Sequence, residues 1–128
     1  MIKHWTKFEG RPYGAARDEA RVTLGPKKVI MLNRIAYEAL GTPQAVELMF
    51  DETQKIIGLK PAELRRANAF PLKVKKGSQH RLIFAGAFCT HFGIRVDRTV
   101  LFNEIDIDNE GVMTLEVAKA VNVGRGAR

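Results

Sequence analysis

The sequence predicts a small, mainly β fold with short helices (α+β), made of two β-α-β-β units that interlock around one core. A repeat indicates the two units, because Gly25 and Gly41 recur 52 residues later as Gly77 and Gly93, with matching apolar residues between them. In each copy, short strand-like runs rich in apolar residues surround one two-turn helix. The chain has 128 residues, so neither half is long enough to bury a core of its own.

The composition is that of a globular protein, with 45% hydrophobic and 27% charged residues. No apolar run approaches the roughly 20 residues of a membrane-spanning helix. Residues 1–10 carry charge but lack the apolar stretch of a secretory signal. The single cysteine, Cys89, excludes an intrachain disulfide and fits a cytoplasmic protein. We expect Cys89 to act as a small buried hydrophobe.

The first repeat is predicted over residues 21–62. Four runs in it have the length and composition of strands: Arg21–Leu24, Lys28–Leu32, Ala45–Phe50 and Ile56–Lys60. Asn33 stands where a helix N-cap accepts from free backbone N–H groups, and Gly41 ends the helix. The unit is therefore β-β-α-β-β, or β-α-β-β if the first two runs form one bent strand.

The second repeat is predicted over residues 72–117. Its strand-like runs are Leu72–Lys75, Arg81–Phe84, Thr99–Ile105 and Val112–Val117. A short helix over Gly86–Phe92 is closed by Gly93, and Ala85 offers no side chain to cap its start. Asp106–Gly111 is interpreted as a hairpin turn, because its spacing lacks the fifth and twelfth ligands of a calcium loop.

Three segments lie outside the repeats. Residues 1–20 are predicted to form an arm, whose aromatic residues Trp5, Phe8 and Tyr13 either pack over the core of the two units or stack on the bases of a nucleic acid. Residues 63–71 are a linker, with a helical turn expected from Ala62 to Asn68. Residues 118–128 are predicted to be a flexible basic tail.

The first repeat resembles the AbrB/MazE/MraZ group of proteins in three consecutive stretches. These are the basic and apolar run Lys28–Asn33, the helix Ile35–Gly41 that closes on Leu-Gly, and the hairpin within Ala45–Ala62. The resemblance is moderate over Arg21–Ala62 and weak over Lys73–Val117. It implies a swapped-hairpin (cradle-loop) barrel, or the related double-psi-like barrel, in a tandem form similar to MraZ. It also implies binding of duplex DNA.

Two positions in each copy depart from that family pattern. Asn33 and Ala85 stand where the family has a proline at the helix entry. Tyr37 and Cys89 stand where it has an arginine inside the helix. We therefore expect contacts to phosphates, which carry little sequence information, to dominate over reading of the bases.

The charge of the chain alternates with the repeat. The net charge is +5 over residues 1–34, −3 over 35–64, +7 over 65–98 and −2 over 99–128. Basic side chains follow or flank the glycine turns. If the two units pack with two-fold symmetry, we expect these turns to face one side of the molecule and to present cations at intervals that match two rows of phosphates. The predicted nucleic-acid-binding residues are Lys27, Lys28, Arg34, Lys75, Lys76 and Arg81. The alternative is a solvated surface that deters aggregation.

The sequence predicts a DNA-binding protein, a prokaryotic or phage transcription regulator acting as a monomer or homodimer. His4, His80 and His91 have no metal-ligand spacing, and no nucleophile motif or phosphate-binding glycine loop is present. We therefore expect neither an enzyme nor a cofactor, and no membrane partner. The alternative function is a protein-interaction module, such as an antitoxin-like adaptor, with a structural barrel.

Overall fold

The computed structural model of the chain describes residues 19–102 and 104–126, with side chains through residue 123. The strands are β1 Val22–Leu24, β2 Val29–Leu32, β3 Ala45–Asp51, β4 Ile56–Ala62, β5 Phe70–Pro71, β6 Lys73–Val74, β7 Arg81–Phe84, β8 Arg98–Leu101, β9 Ile105–Ile107, β10 Met113–Glu116 and β11 Val121–Gly126. The helices are α1 Arg34–Ala39 and α2 Gly86–Phe92. A 3-10 turn covers Val117–Lys119. Trp5, Phe8 and Tyr13 of the predicted arm lie outside the described residues.

The strands form two antiparallel sheets. Sheet A has the order β11-β8-β1-β2-β7-β6, and sheet B has the order β5-β3-β4-β10-β9. Within the described residues each sheet has two free edges, and neither closes on itself. The predicted mainly β fold with short helices is confirmed. The longer helix of the described chain has seven residues, too few to cross a membrane.

The core lies between the inner faces of the two sheets and the helices. In β1 and β2, Val22, Leu24, Ile30 and Leu32 are buried, while the residues between them are only partly covered. This alternation follows from the two-residue period of a strand. The same cluster includes residues from the second half, so both halves contribute to one core: Ile83, Phe88, Cys89, Val100, Phe102, Met113 and Leu115. Cys89 is fully buried, as predicted.

The 52-residue offset holds for the second strand and the helix of each half. The strand β2 starts at residue 29 and β7 at residue 81, while α1 starts at 34 and α2 at 86. Each helix is followed by a left-handed glycine, Gly41 with φ of 96° and Gly93 with φ of 67°. Both predicted helices are confirmed, including the cap at Asn33 and its absence at Ala85.

The offset does not extend to the preceding strands. The amide of Gly25 donates to the carbonyl of Val29, which closes a three-residue turn. In the second half, Val74 faces Arg81 and the amide of Lys75 donates to the carbonyl of His80, so six residues separate the paired positions and four of them lie in the turn itself. The left-handed residue is therefore Lys28 in the first turn, with φ of 65°, and Gly77 in the second, with φ of 79°. Gly25 and Gly77 are not structural equivalents.

Three predicted segments differ in the structure. The run Thr99–Ile105 is not one strand, because the amide of Phe102 donates to Val22 in sheet A and the chain then enters sheet B as β9. The helical turn predicted from Ala62 to Asn68 is absent. Ala62 remains paired with Ala45 in β4, and the residues after it form two successive turns. The tail predicted to be flexible contains β11, which pairs with β8.

Candidate nucleic-acid interface

The two lysine-rich turns lie at opposite ends of sheet A. Strands β2 and β7 are antiparallel neighbours, so Val29 faces Phe84 and Leu32 faces Arg81. The turn before β2 is therefore next to the end of β7, and the turn before β7 is next to the end of β2. The four-residue paired segment spans about 10 Å at about 3.4 Å per residue. The expected cations thus form two groups, which the antiparallel pairing separates along the strand direction.

The larger group, here called the basic end, contains five cations from four separate segments: Arg21, Arg34, Lys75, Lys76 and Arg81. The amide of Arg21 donates to Oδ1 of Asn33 over 3.0 Å, which holds the start of β1 beside the start of α1. The pairing of Leu32 with Arg81 brings the turn before β7 to the same place. Lys75 and Lys76 are exposed in that turn.

Asn33 fixes the local geometry of the basic end. Its Oδ1 accepts from the amide of Ala36 over 2.9 Å as well as from Arg21, and its Nδ2 donates to the carbonyl of Glu19 over 2.7 Å. Three hydrogen bonds therefore tie together the incoming chain, the first strand and the helix. Asn33 is a structural residue whose side chain is already engaged.

Two of the predicted binding residues at this end make internal contacts. The guanidinium carbon of Arg81 lies 4.3 Å from the centre of the Tyr37 ring, and Nη1 donates to the carbonyl of Gln79 over 3.0 Å. Nη1 of Arg34 pairs with Oε1 of Glu38 over 2.9 Å, one helical turn away. Arg34 remains half exposed. Each guanidinium carries more donors than these contacts use.

A cavity of about 530 Å³ opens at the basic end. Its lining includes both arginines that flank the first hairpin, Arg21 and Arg34, together with Gln79 and His80 from the second turn. Nδ1 of His80 is shielded from solvent and has no hydrogen-bond partner among the described residues. Residues of both halves therefore build one concave, basic surface.

The smaller group, Lys27 and Lys28, lies at the other end of sheet A. Lys27 is exposed. Nζ of Lys28 donates to Oγ1 of Thr90 in α2 over 2.8 Å, and its carbonyl accepts from the amide of Ala85 over 3.0 Å. Burial raises the pKa of the Cys89 thiol, and the charge of Lys28 offsets part of that rise. Lys28 thus contributes to the packing of α2 as well as to the surface charge.

One group of acidic residues lies away from the basic end, which itself includes Glu38. The β9–β10 hairpin of sheet B carries or adjoins Glu104, Asp106, Asp108 and Glu110. Oδ1 of Asp108 accepts from the amides of Glu110 and Val112, at 2.8 and 3.0 Å, so its carboxylate stabilises the turn. The predicted hairpin turn is confirmed. Across residues 19–102 and 104–126, no group of three His, Cys, Asp or Glu side chains is placed to hold a metal ion.

Sequence reasoning missed Arg21 and the cavity. Arg21 and Asn33 directly flank the terminal pair of the first hairpin, Val22 and Leu32. Assigning that hairpin would have placed Arg21 beside the helix start. The cavity had no comparable signal, because it forms only when the turn of one half meets the helix of the other.

Comparison of the chain with protein-family models, curated proteins and solved structures found no match. What the site can do chemically therefore follows from its own groups. Guanidinium and ammonium groups around a concave surface bind anions, and an extended set of them suits a polyanion.

Proposed function

We propose that the protein binds duplex DNA through phosphate contacts at the basic end, with Lys27 and Lys28 as a second contact point. The observation that carries this proposal is the convergence of five cations from four chain segments at one end of sheet A. Among their described contacts, the one carboxylate is Glu38, which pairs with Arg34. Most of the positive charge there remains available to phosphates.

The arrangement of the strands supports a swapped-hairpin type of fold, in an open form, as part of the same proposal. Strand β1 of the first half pairs with β8 of the second, and β2 pairs with β7 at the centre of sheet A. The helices of the two halves begin 52 residues apart. In this proposal the chain is a tandem relative of the AbrB/MazE/MraZ type and acts as a transcription regulator in the cytoplasm, as a monomer or homodimer.

The outward face of the central strands favours binding with little sequence preference. Ile30 and Ile83 point into the core, so Met31 and Leu82, which face each other, point outward. Their neighbours Val29 and Phe84 lie on the same face and are also apolar. Such side chains offer no hydrogen bonds to base edges, on which direct readout depends. Phosphate contacts then supply most of the affinity.

A salt series on duplex DNA tests the proposal. We expect affinity to fall with salt by roughly 0.9 log units per phosphate contact for each tenfold increase. Changing Lys75 and Lys76 to Gln should make this slope shallower and should weaken binding to all DNA sequences about equally. The pair Lys27→Gln and Lys28→Gln should have a smaller effect, because Lys28 is engaged with Thr90.

The matched control is Arg65→Gln with Arg66→Gln. It also removes two positive charges, but from the turns after β4, where the two arginines pair with Glu63 and Glu47. An equal loss of slope in this control would show that net charge alone matters and would refute the site. If the wild-type protein shows no salt-sensitive retention on DNA or heparin, the nucleic-acid proposal fails.

A protein-interaction module is the second candidate. It is favoured by apolar side chains exposed on sheet A: Val74 is 62%, Phe84 53%, Val123 48% and Val121 41% exposed. Val74 and Phe84 lie near one edge of sheet A, in β6 and β7, and Val121 and Val123 lie in β11 at the other edge, so the sheet offers two separate apolar contact points. Absence of DNA binding together with a specific protein partner that is lost on Phe84→Ser would establish this function instead.

A further inference from the structure

The cavity at the basic end has the size of a small-molecule site. Its volume of about 530 Å³ falls within the range of roughly 300–1,000 Å³ that is usual for ligand pockets. It lies between the first hairpin, the start of α1 and the turn before β7. Its lining residues are Arg21, Thr23, Met31, Asn33, Arg34, Ile35, Gln79 and His80.

The lining combines an apolar surface with two cations. Met31 and Ile35 contribute apolar side chains to the wall. The guanidinium groups of Arg21 and Arg34 can each form two parallel hydrogen bonds to a carboxylate or phosphate. A phosphodiester backbone has no apolar body to cover Met31 and Ile35. An amphipathic anion satisfies both parts of the lining.

Hydrogen bonding at the cavity wall is incomplete. The side chain of Asn33 already makes three hydrogen bonds within the protein. His80, from the turn before β7, has a solvent-shielded Nδ1 without a partner in the described chain. Because this Nδ1 is shielded from water, a molecule in the open cavity does not reach it in this conformation, so the charged groups available to an anion are those of Arg21 and Arg34.

We propose that this cavity binds a small organic anion, with a carboxylate or phosphate group attached to an apolar body. The anionic group lies between Arg21 and Arg34, and the apolar body covers Met31 and Ile35. Binding requires no nucleic acid. A regulatory consequence rests on the proposed function: Arg21 and Arg34 belong to the basic end, so an occupied cavity withdraws two cations from DNA.

Fluorescence titration with 8-anilinonaphthalene-1-sulfonate, an amphipathic anion, tests the site on the full chain. We expect saturable binding at one site per chain, with displacement by 2-naphthoate or 2-naphthyl phosphate. The more effective competitor shows whether the site prefers a carboxylate or a phosphate. Neutral 2-naphthol should compete at least tenfold less well. If 2-naphthol competes equally, or binding does not saturate, the proposal is overturned.

Charge variants locate the binding. Arg21→Gln with Arg34→Gln should weaken binding of the fluorescent probe at least tenfold. Arg65→Gln with Arg66→Gln should change the affinity for the probe less than twofold. Equal effects of the two pairs would refute the assignment to this cavity. The comparison with 2-naphthol uses wild-type protein, so it remains decisive if a variant folds poorly.

The regulatory consequence has a separate readout. We expect 2-naphthoate to weaken DNA binding by wild-type protein and to have no effect on DNA binding by the Arg21→Gln, Arg34→Gln variant. If the wild-type protein does not bind DNA at all, the proposed function fails while the probe titration still decides the anion site. If DNA binding is normal and insensitive to a saturating competitor, the regulatory consequence is wrong.

Discussion

The guanidinium group of Arg81, in the second half of the chain, is stacked on the ring of Tyr37, in the first half, with 4.3 Å between its carbon and the ring centre. A related contact occurs at the other end of sheet A, where Lys28 of the first half donates to Thr90 of the second over 2.8 Å. In both cases a cation beside or at the start of a central strand reaches the helix of the opposite half. These contacts connect the two halves outside the apolar core.

The contact between Arg81 and Tyr37 should be measurable as a coupling energy. We expect a double-mutant cycle of Arg81→Gln and Tyr37→Leu, followed by urea unfolding, to give about 0.5–1 kcal/mol, as for other partly exposed cation–π pairs. The pair Lys73 and Phe84 provides a control, since its separation is 5.6 Å and Phe84 is 53% exposed. Its coupling should be smaller. A coupling near zero for Arg81 and Tyr37 would show that the stacking contributes no stability.

Replacement of Asn33 should destabilise the first half of sheet A. We expect Asn33→Ala to lower the free energy of unfolding by about 2 kcal/mol, because two backbone amides lose their acceptor. Asn33→Asp keeps that acceptor and should lose less than half as much. Asn68→Ala, at an exposed position, is the control and should stay within about 0.5 kcal/mol of wild type. Equal losses for Ala and Asp would contradict the capping role.

Two glycine-to-alanine substitutions should change the stability of the protein in opposite directions. Gly77 has φ of 79° and open space where the methyl group of an alanine would lie, so Gly77→Ala should lose roughly 1–2 kcal/mol from backbone conformation alone. Gly86 begins α2, and a Cβ there also meets nothing within 4 Å. Gly86→Ala should therefore stabilise the protein by up to about 1 kcal/mol. Thermal unfolding of both variants checks the signs, and stabilisation by Gly77→Ala would exclude a left-handed residue there.

The buried thiol should make stability depend on alkaline pH. Burial raises the pKa of Cys89 above its ordinary value of 9.0, although Lys28 opposes the shift. Above about pH 9 the unfolded chain loses the thiol proton while the folded chain keeps it, so unfolding becomes more favourable. This contribution is complete below that pH and is lost as the pH rises through the pKa of the folded state.

Urea unfolding of wild type and Cys89→Ala between pH 7 and pH 10 measures this dependence. The difference in unfolding free energy between the two proteins should be constant at the lower pH values and should change in favour of Cys89→Ala at the higher ones. A thiol reagent should also label native Cys89 far more slowly than the unfolded chain. Parallel pH profiles and rapid native labelling would contradict a buried thiol.

Local sequence patterns were sufficient for much of the secondary structure. The two runs that form β1 and β2, the capped helix after them and the β3–β4 hairpin follow from apolar alternation, one N-cap and turn residues, which act within a few positions. The same patterns left open whether the first two runs form a hairpin or one bent strand. The choice between sheets was not accessible in this way. Residues 99–105 alternate well enough for one strand, but Phe102 is held by Val22, which lies 80 positions earlier. Likewise, the pairing of β11 depends on the edge that β8 presents.

The candidate site shows the same division between local and long-range information. Turn chemistry identified Lys27, Lys28, Lys75 and Lys76 as surface cations. Lys27, Lys75 and Lys76 are exposed, and Lys28 is partly buried. Their grouping could not be predicted, because it depends on β2 and β7 being antiparallel neighbours. The stacking of Arg81 on Tyr37 also needs both halves in place.

The pairing of β1 with β8 constrains how the chain acquires its structure during synthesis. Thr23 faces Leu101, so one edge of β1 lacks this partner until β8 has been made. At about 5–20 residues per second, the roughly 78 intervening residues take about 4–16 s to translate. During that interval the emerging first half carries an unpaired strand edge, which is a template for pairing with a neighbouring nascent chain. Chains on crowded polysomes are therefore most prone to misassembly before β8 emerges, and slower translation of the second half lengthens that period.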